Sequence, residues 1–83
     1  MSKITTFQEL RHKCAQLYCP KDWAIATWTK FFADCIKLHI LNEVELNESI
    51  LQLIETYNCS ESLIKATITF QKDNGIIKDY KED

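Results

Sequence analysis

Residues 23–41 read WAIATWTKFFADCIKLHIL, and no other stretch restricts the fold of this chain as strongly. They contain both tryptophans and two of the four phenylalanines. At 3.6 residues per turn, Ala24, Trp28, Phe31, Cys35 and Leu38 fall on one stripe. Ile25, Phe32, Ile36 and Ile40 fall on a second, offset from the first. A helix with one apolar stripe lies on a core, whereas a helix with two is packed on more than one side. The spacing therefore predicts a central helix with the rest of the chain arranged around it. Each buried Trp or Phe withdraws roughly 150–250 Å² from water, so this segment dominates whatever core forms. Pro20 and Asp22 predict where the helix starts: proline loses no donor at the first helical position, and a carboxylate suits the positive helix end. Asp34, Lys37 and His39 interrupt the apolar run, which excludes a span of ~18 consecutive apolar residues.

The flanking segments are helical in period as well. Phe7, Leu10, Cys14 and Leu17 form one stripe, opposite Gln8, Glu9, Arg11, Lys13 and Gln16, and Thr6 with Glu9 makes a capping box. This predicts a helix over 7–18. After Leu41, either Asn42 (with Glu45) or Asn47 caps a third helix that runs to about Tyr57, with Leu46, Ile50, Leu53, Ile54 and Tyr57 inward. Asn58-Cys59-Ser60 reads as a turn. Ser60 then caps a fourth helix from Glu61 to about Asp73, which buries Leu63, Ile64, Thr67, Ile68 and Phe70. Gly75, the single glycine, stands where a helix takes a left-handed residue, with Ile76 placed for an apolar contact back onto the last turn and Ile77 as a short extended piece. Residues 78–83 read as a charged tail. An offset of 40 aligns Cys19, Ala26, Thr27, Thr29 and Ile36 with Cys59, Ala66, Thr67, Thr69 and Ile76, so each half reads helix, tight turn, helix. The expected architecture is one all-α domain over 1–83, a compact four-helix unit of two helix-turn-helix-like hairpins.

Composition narrows the function. With 46% hydrophobic residues the chain has enough apolar surface to fold, but 83 residues give a modest core, which favours a partner or a homodimer. Ten Lys and Arg stand against twelve Asp and Glu, so no basic field draws nucleic acid. The start, MSKITTFQEL, has no apolar signal-peptide core, and the expected compartment is the cytoplasm. Four cysteines, at 14, 19, 35 and 59, form no C-x-x-C, and in a reducing compartment they are expected as free thiols. Cys35 and His39 share a helix face, but two ligands do not complete a tetrahedral metal site, and His12 and Cys14 point apart on a helix. No cofactor is expected. No nucleophile motif, phosphate loop or carboxylate pair points to catalysis.

The most specific local pattern is LIETYNCSESLIKATITFQKDNGII. With its flanks, residues 46–77, it resembles the winged helix-turn-helix of small bacterial and phage regulators: Leu53 and Tyr57 on the first helix, Ser60 capping the second, Ile64 and Ile68 inward, Gly75 before an apolar pair. The resemblance implies DNA contact through Ser62, Lys65, Thr69 and Lys72. The sequence departs from the pattern at the turn, where Asn58 replaces the glycine, and in offering only two basic residues on the reading helix. Nonspecific DNA affinity commonly rests on ~6–10 phosphate contacts.

A protein partner is the leading expectation. Trp23 and Trp28 are five apart and do not share a stripe, so one of them, with Ile25 or Phe32 and with Tyr18 or Tyr80 nearby, is a candidate hot-spot patch. The expected contact residues are Trp23, Trp28, Phe32 and Tyr18. In size and composition the whole chain is similar to small regulators of large bacterial viruses. Among these are the anti-CRISPR inhibitors and the cytoplasmic lysis-inhibition accessory proteins of T-even phages. The second resemblance implies a holin's cytoplasmic segment as the ligand.

Overall fold

The computed structural model describes residues 6–75. They form four helices and no strand: α1 (Phe7–Tyr18), α2 (Ile25–Ile40), α3 (Glu43–Tyr57) and α4 (Glu61–Asn74). Three of the four start signals act as the sequence predicts. Thr6 accepts from the Glu9 amide (3.1 Å), Asn42 from Glu45 (3.0 Å) and Ser60 from Leu63 (3.2 Å), each satisfying a donor that the first helical turn leaves without a carbonyl. The alternative start at Asn47 is not used.

The start of α2 differs from expectation. Residues 20–23 make a tight turn closed by the Trp23 amide on the Pro20 carbonyl (3.1 Å), and the helix begins only at Ile25. The reversal out of α1 consumes Pro20 and Asp22. Trp23 is held by ring contacts with Phe31 (5.1 Å) and Tyr57 (5.7 Å) rather than by the helix. Ala24 becomes the N-cap and offers no side-chain acceptor.

α2 and α4 form the central pair. Each touches the other and both flanking helices, whereas α1 and α3 do not meet. The sequence marks α2 as the centre; the structure gives α4 an equal share. Trp28, Phe31, Phe32, Cys35, Ile36 and Leu38 of α2 are buried with Leu10 and Cys14 of α1, Ile50 and Leu53 of α3, and Ile64 and Ile68 of α4. The second stripe of α2 is only half used: Phe32 and Ile36 are inside, while Ile25 and Ile40, near its ends, lie in solvent. On α4, Leu63 and Phe70 are partly rather than fully buried, and Gln71 is completely enclosed. Its Nε2 donates to the Phe32 carbonyl (3.1 Å), tying the two central helices together.

Both turns into the last helical ends use left-handed backbone. Asn58 caps α3 at φ 52°, and Gly75 caps α4 at φ 66° with its amide on the Gln71 carbonyl (2.9 Å). Asparagine tolerates this conformation better than other non-glycine residues. The expected contact of Ile76, the extended piece at Ile77 and the charged tail lie outside the described residues, as does Tyr80.

Candidate functional site

The expected aromatic patch is mostly interior, which corrects the expectation from sequence. Trp28 and Phe32 are both 0% exposed. Trp28 packs on Phe31 (5.5 Å) and Phe32 (6.3 Å), and Phe32 takes the edge of Phe7 from α1 (5.6 Å). They are inside because α2 has neighbours on three helices, so both of its aromatic stripes meet protein. Trp23 and Tyr18 keep partial exposure but belong to different ring contacts, Trp23 with Phe31 and Tyr57, and Tyr18 with Phe70 (6.1 Å). The four residues therefore do not form one surface.

A different surface lies beside them. A groove of ≈470 Å³ has Ala15 and Ile25 as its apolar lining, with the buried Trp28 beneath them, and Gln8, Glu9, Arg11, His12 and Lys13 of α1 as its polar lining. Leu10 and Cys14 turn into the core, which leaves the opposite face of α1 to this groove. Ile25 is 72% exposed in the first turn of α2, where the Thr29 hydroxyl donates to its carbonyl (2.9 Å). Arg11 donates to Gln8 Oε1 (2.6 Å), so its planar fork is held in place without a carboxylate. Ile25 is legible in the sequence as an apolar residue at the edge of a stripe. The groove is not, because it depends on how α1 crosses the start of α2.

A second groove of ≈380 Å³ separates α2 from α3, with Leu38, Leu41 and Leu53 as apolar lining and Asp34, Lys37, Ser49, Gln52 and Thr56 as polar lining. At its margin the Tyr57 hydroxyl donates to Asp34 Oδ2 (2.7 Å). Burial, and next that hydrogen bond, raise the Tyr57 pKa.

The four residues expected to face DNA do share a surface. Ser62, Lys65, Thr69 and Lys72 are all exposed on one side of α4, and Asn58 supplies by its left-handed backbone what the usual turn glycine supplies. The electrostatics of this face are weak. Lys65 is paired with Glu61 (2.7 Å), and Asp73 is exposed beside Lys72. The His39 pKa is lowered, first by burial and then by the nearby Lys72 charge.

The thiols are free and sit in surroundings that disfavour the thiolate. Burial pushes Cys14 up to about 12, against a hydrogen bond with Thr67 that pulls the other way, and burial likewise raises Cys35. A thiol so placed is a poor nucleophile and a poor metal ligand. Among the described residues no three His, Cys, Asp or Glu side chains come together to hold a metal ion, and no helix is long and apolar enough to cross a membrane. In comparisons with known proteins, the chain matches no family model, no curated protein and no solved structure.

Proposed function

We propose that this domain is a non-enzymatic regulator that acts by binding another protein, and that the α1/α2 groove is its contact surface. The observation that carries the reading is Ile25, a large aliphatic side chain 72% exposed in a concave site beside Ala15, with Trp28 buried beneath them. Exposed aliphatics are ordinary when scattered, but an apolar concavity edged by polar groups is the form a docking site takes. A cytoplasmic, phage-type role, as an inhibitor or as a lysis-inhibition accessory that binds a holin's cytoplasmic segment, is the extension suggested by whole-chain resemblance alone. The test is affinity capture from the native host with tagged wild type, Ile25→Glu and Ile40→Glu in parallel. A partner retained by wild type and by Ile40→Glu and lost with Ile25→Glu is expected. Equal capture by all three refutes the groove as the contact surface.

The second reading is a helix-turn-helix DNA binder, favoured by the common exposure of Ser62, Lys65, Thr69 and Lys72 on α4. Two lysines on that face, one already paired, are few against the ~6–10 phosphate contacts of typical binders, even doubled in a homodimer. Fluorescence anisotropy with random duplex DNA at ~50 and ~200 mM salt decides it. Binding that collapses at the higher salt and weakens with Lys65→Ala and Lys72→Ala supports it; no binding at either salt removes it.

A further inference from the structure

We infer that the α1/α2 groove takes an acidic, amphipathic segment of its partner, with apolar side chains on Ile25 and Ala15 and carboxylates against Arg11, His12 and Lys13. This rests on the reading of the groove as a protein-binding site and adds the chemistry of what enters it. The chain carries a net charge of −2, yet its one run of three basic residues lies on this wall. Among the described residues Glu9 is the only carboxylate in the lining, so Arg11 and Lys13 outnumber it on this wall. Among the described residues, Arg11 is held by an amide oxygen rather than an acid, and neither His12 nor Lys13 forms an ion pair. An arginine fork already oriented by Gln8 loses little freedom on receiving a carboxylate, and it receives one with two parallel hydrogen bonds. The aliphatic side of the groove calls for a Leu, Ile or Val from the same segment, which a helix with one apolar face supplies. Nucleic acid fits less well. Three basic groups fall short of the usual phosphate count, and Ile25 gives a base no ring to stack on.

The probe is a pair of fluorescein-labelled peptides of ~18 residues with the same apolar positions at helical spacing, one with Glu and Asp on the polar face and one with Lys and Arg. Both are titrated by anisotropy against the full chain, with random duplex DNA as a third probe. Amide shift changes then locate the contact. The acidic peptide is expected to bind, to shift α1 and the first turn of α2, and to weaken about tenfold with Arg11→Glu plus Lys13→Glu and with Ile25→Glu. These side chains lie outside the buried core, and unchanged circular dichroism in the variants verifies the fold. Failure of the acidic peptide to bind, equal binding of both peptides, shifts elsewhere, or preferential binding of DNA at these residues overturns the inference. If the acidic peptide fails while Ile25→Glu still abolishes capture of the cellular partner, the partner's chemistry is wrong and the protein-binding reading stands. If Ile25→Glu leaves that capture intact, both fall.

Discussion

Gln71 sits wholly inside the domain with half of its amide satisfied. Its Nε2 donates to the Phe32 carbonyl, while Oε1 has no partner among the described residues. Leaving a buried polar atom unmade costs about 1–3 kcal/mol, close to the gain from the bond the other end makes. Gln71→Met removes both terms together and is expected to change stability in urea by less than about 1 kcal/mol. Gln71→Glu introduces a buried carboxylate beside a carbonyl oxygen and is expected to cost about 3 kcal/mol or more. A large loss in the Met variant would show that the hydrogen bond, rather than the filled volume, holds α2 to α4. Tyr57 and the buried thiols link stability to alkaline pH. Their folded pKa values lie above their ordinary ones, so the native state keeps protons that the unfolded chain releases. Stability from these groups is complete below about pH 8, where an unfolded thiol begins to ionise, and declines as pH rises towards the folded values. Unfolding midpoints measured between about pH 8 and 11 are expected to fall steadily across that range, and Cys14→Ala is expected to flatten part of that slope.

The helices differ in how well their ends are finished. α1, α3 and α4 each have a side chain on an orphan amide, and α2, which supplies six of the twelve buried apolar residues among those described, has none. Ala24 has the extended backbone an N-cap requires and is exposed, so an acceptor fits there without disturbing a contact. Ala24→Asp is expected to stabilise the domain by about 0.5–2 kcal/mol, read as a rise in thermal midpoint. No rise would mean that the turn at residues 20–23 already closes the helix end. At the α3–α4 turn the limiting term is backbone conformation. Asn58→Gly is expected to be neutral to mildly stabilising, and Asn58→Val to cost about 1–2 kcal/mol, since a branched side chain strains the left-handed region. Both substitutions act on the turn that joins α3 to α4, and neither touches the α1/α2 groove.

At the scale of the molecule, the central α2–α4 pair leaves different work to its two flanking helices. α3 closes the side that carries Tyr57 and Asp34, and α1 crosses the start of α2 and makes the groove. A groove on an exposed wall can change without changing the fold. Ile25→Glu is therefore expected to move the unfolding free energy by less than about 0.5 kcal/mol while it abolishes partner capture. A variant that lost stability to the same degree as binding would place Ile25 among the packing residues. The four helices, three of their caps, the free cysteines' small-residue character and most of the core were legible in the residues alone. Period and capping are local properties, written every three or four positions and in one side chain before each capped helix. The sequence also placed Ser62, Lys65, Thr69 and Lys72 on one face, because their spacing on a single helix is enough to do so. What it left open was decided between helices. Trp28 and Phe32 went inside because α2 meets three neighbours, a fact that no single stripe encodes. Gln71 was hidden because a polar residue is buried only if a distant carbonyl, here thirty-nine residues away, is there to receive it. The groove holding Ile25 beside Arg11, His12 and Lys13 exists only where two helices cross. Those contacts join residues far apart in the chain, and their energies are settled by packing rather than by the order of the residues along it.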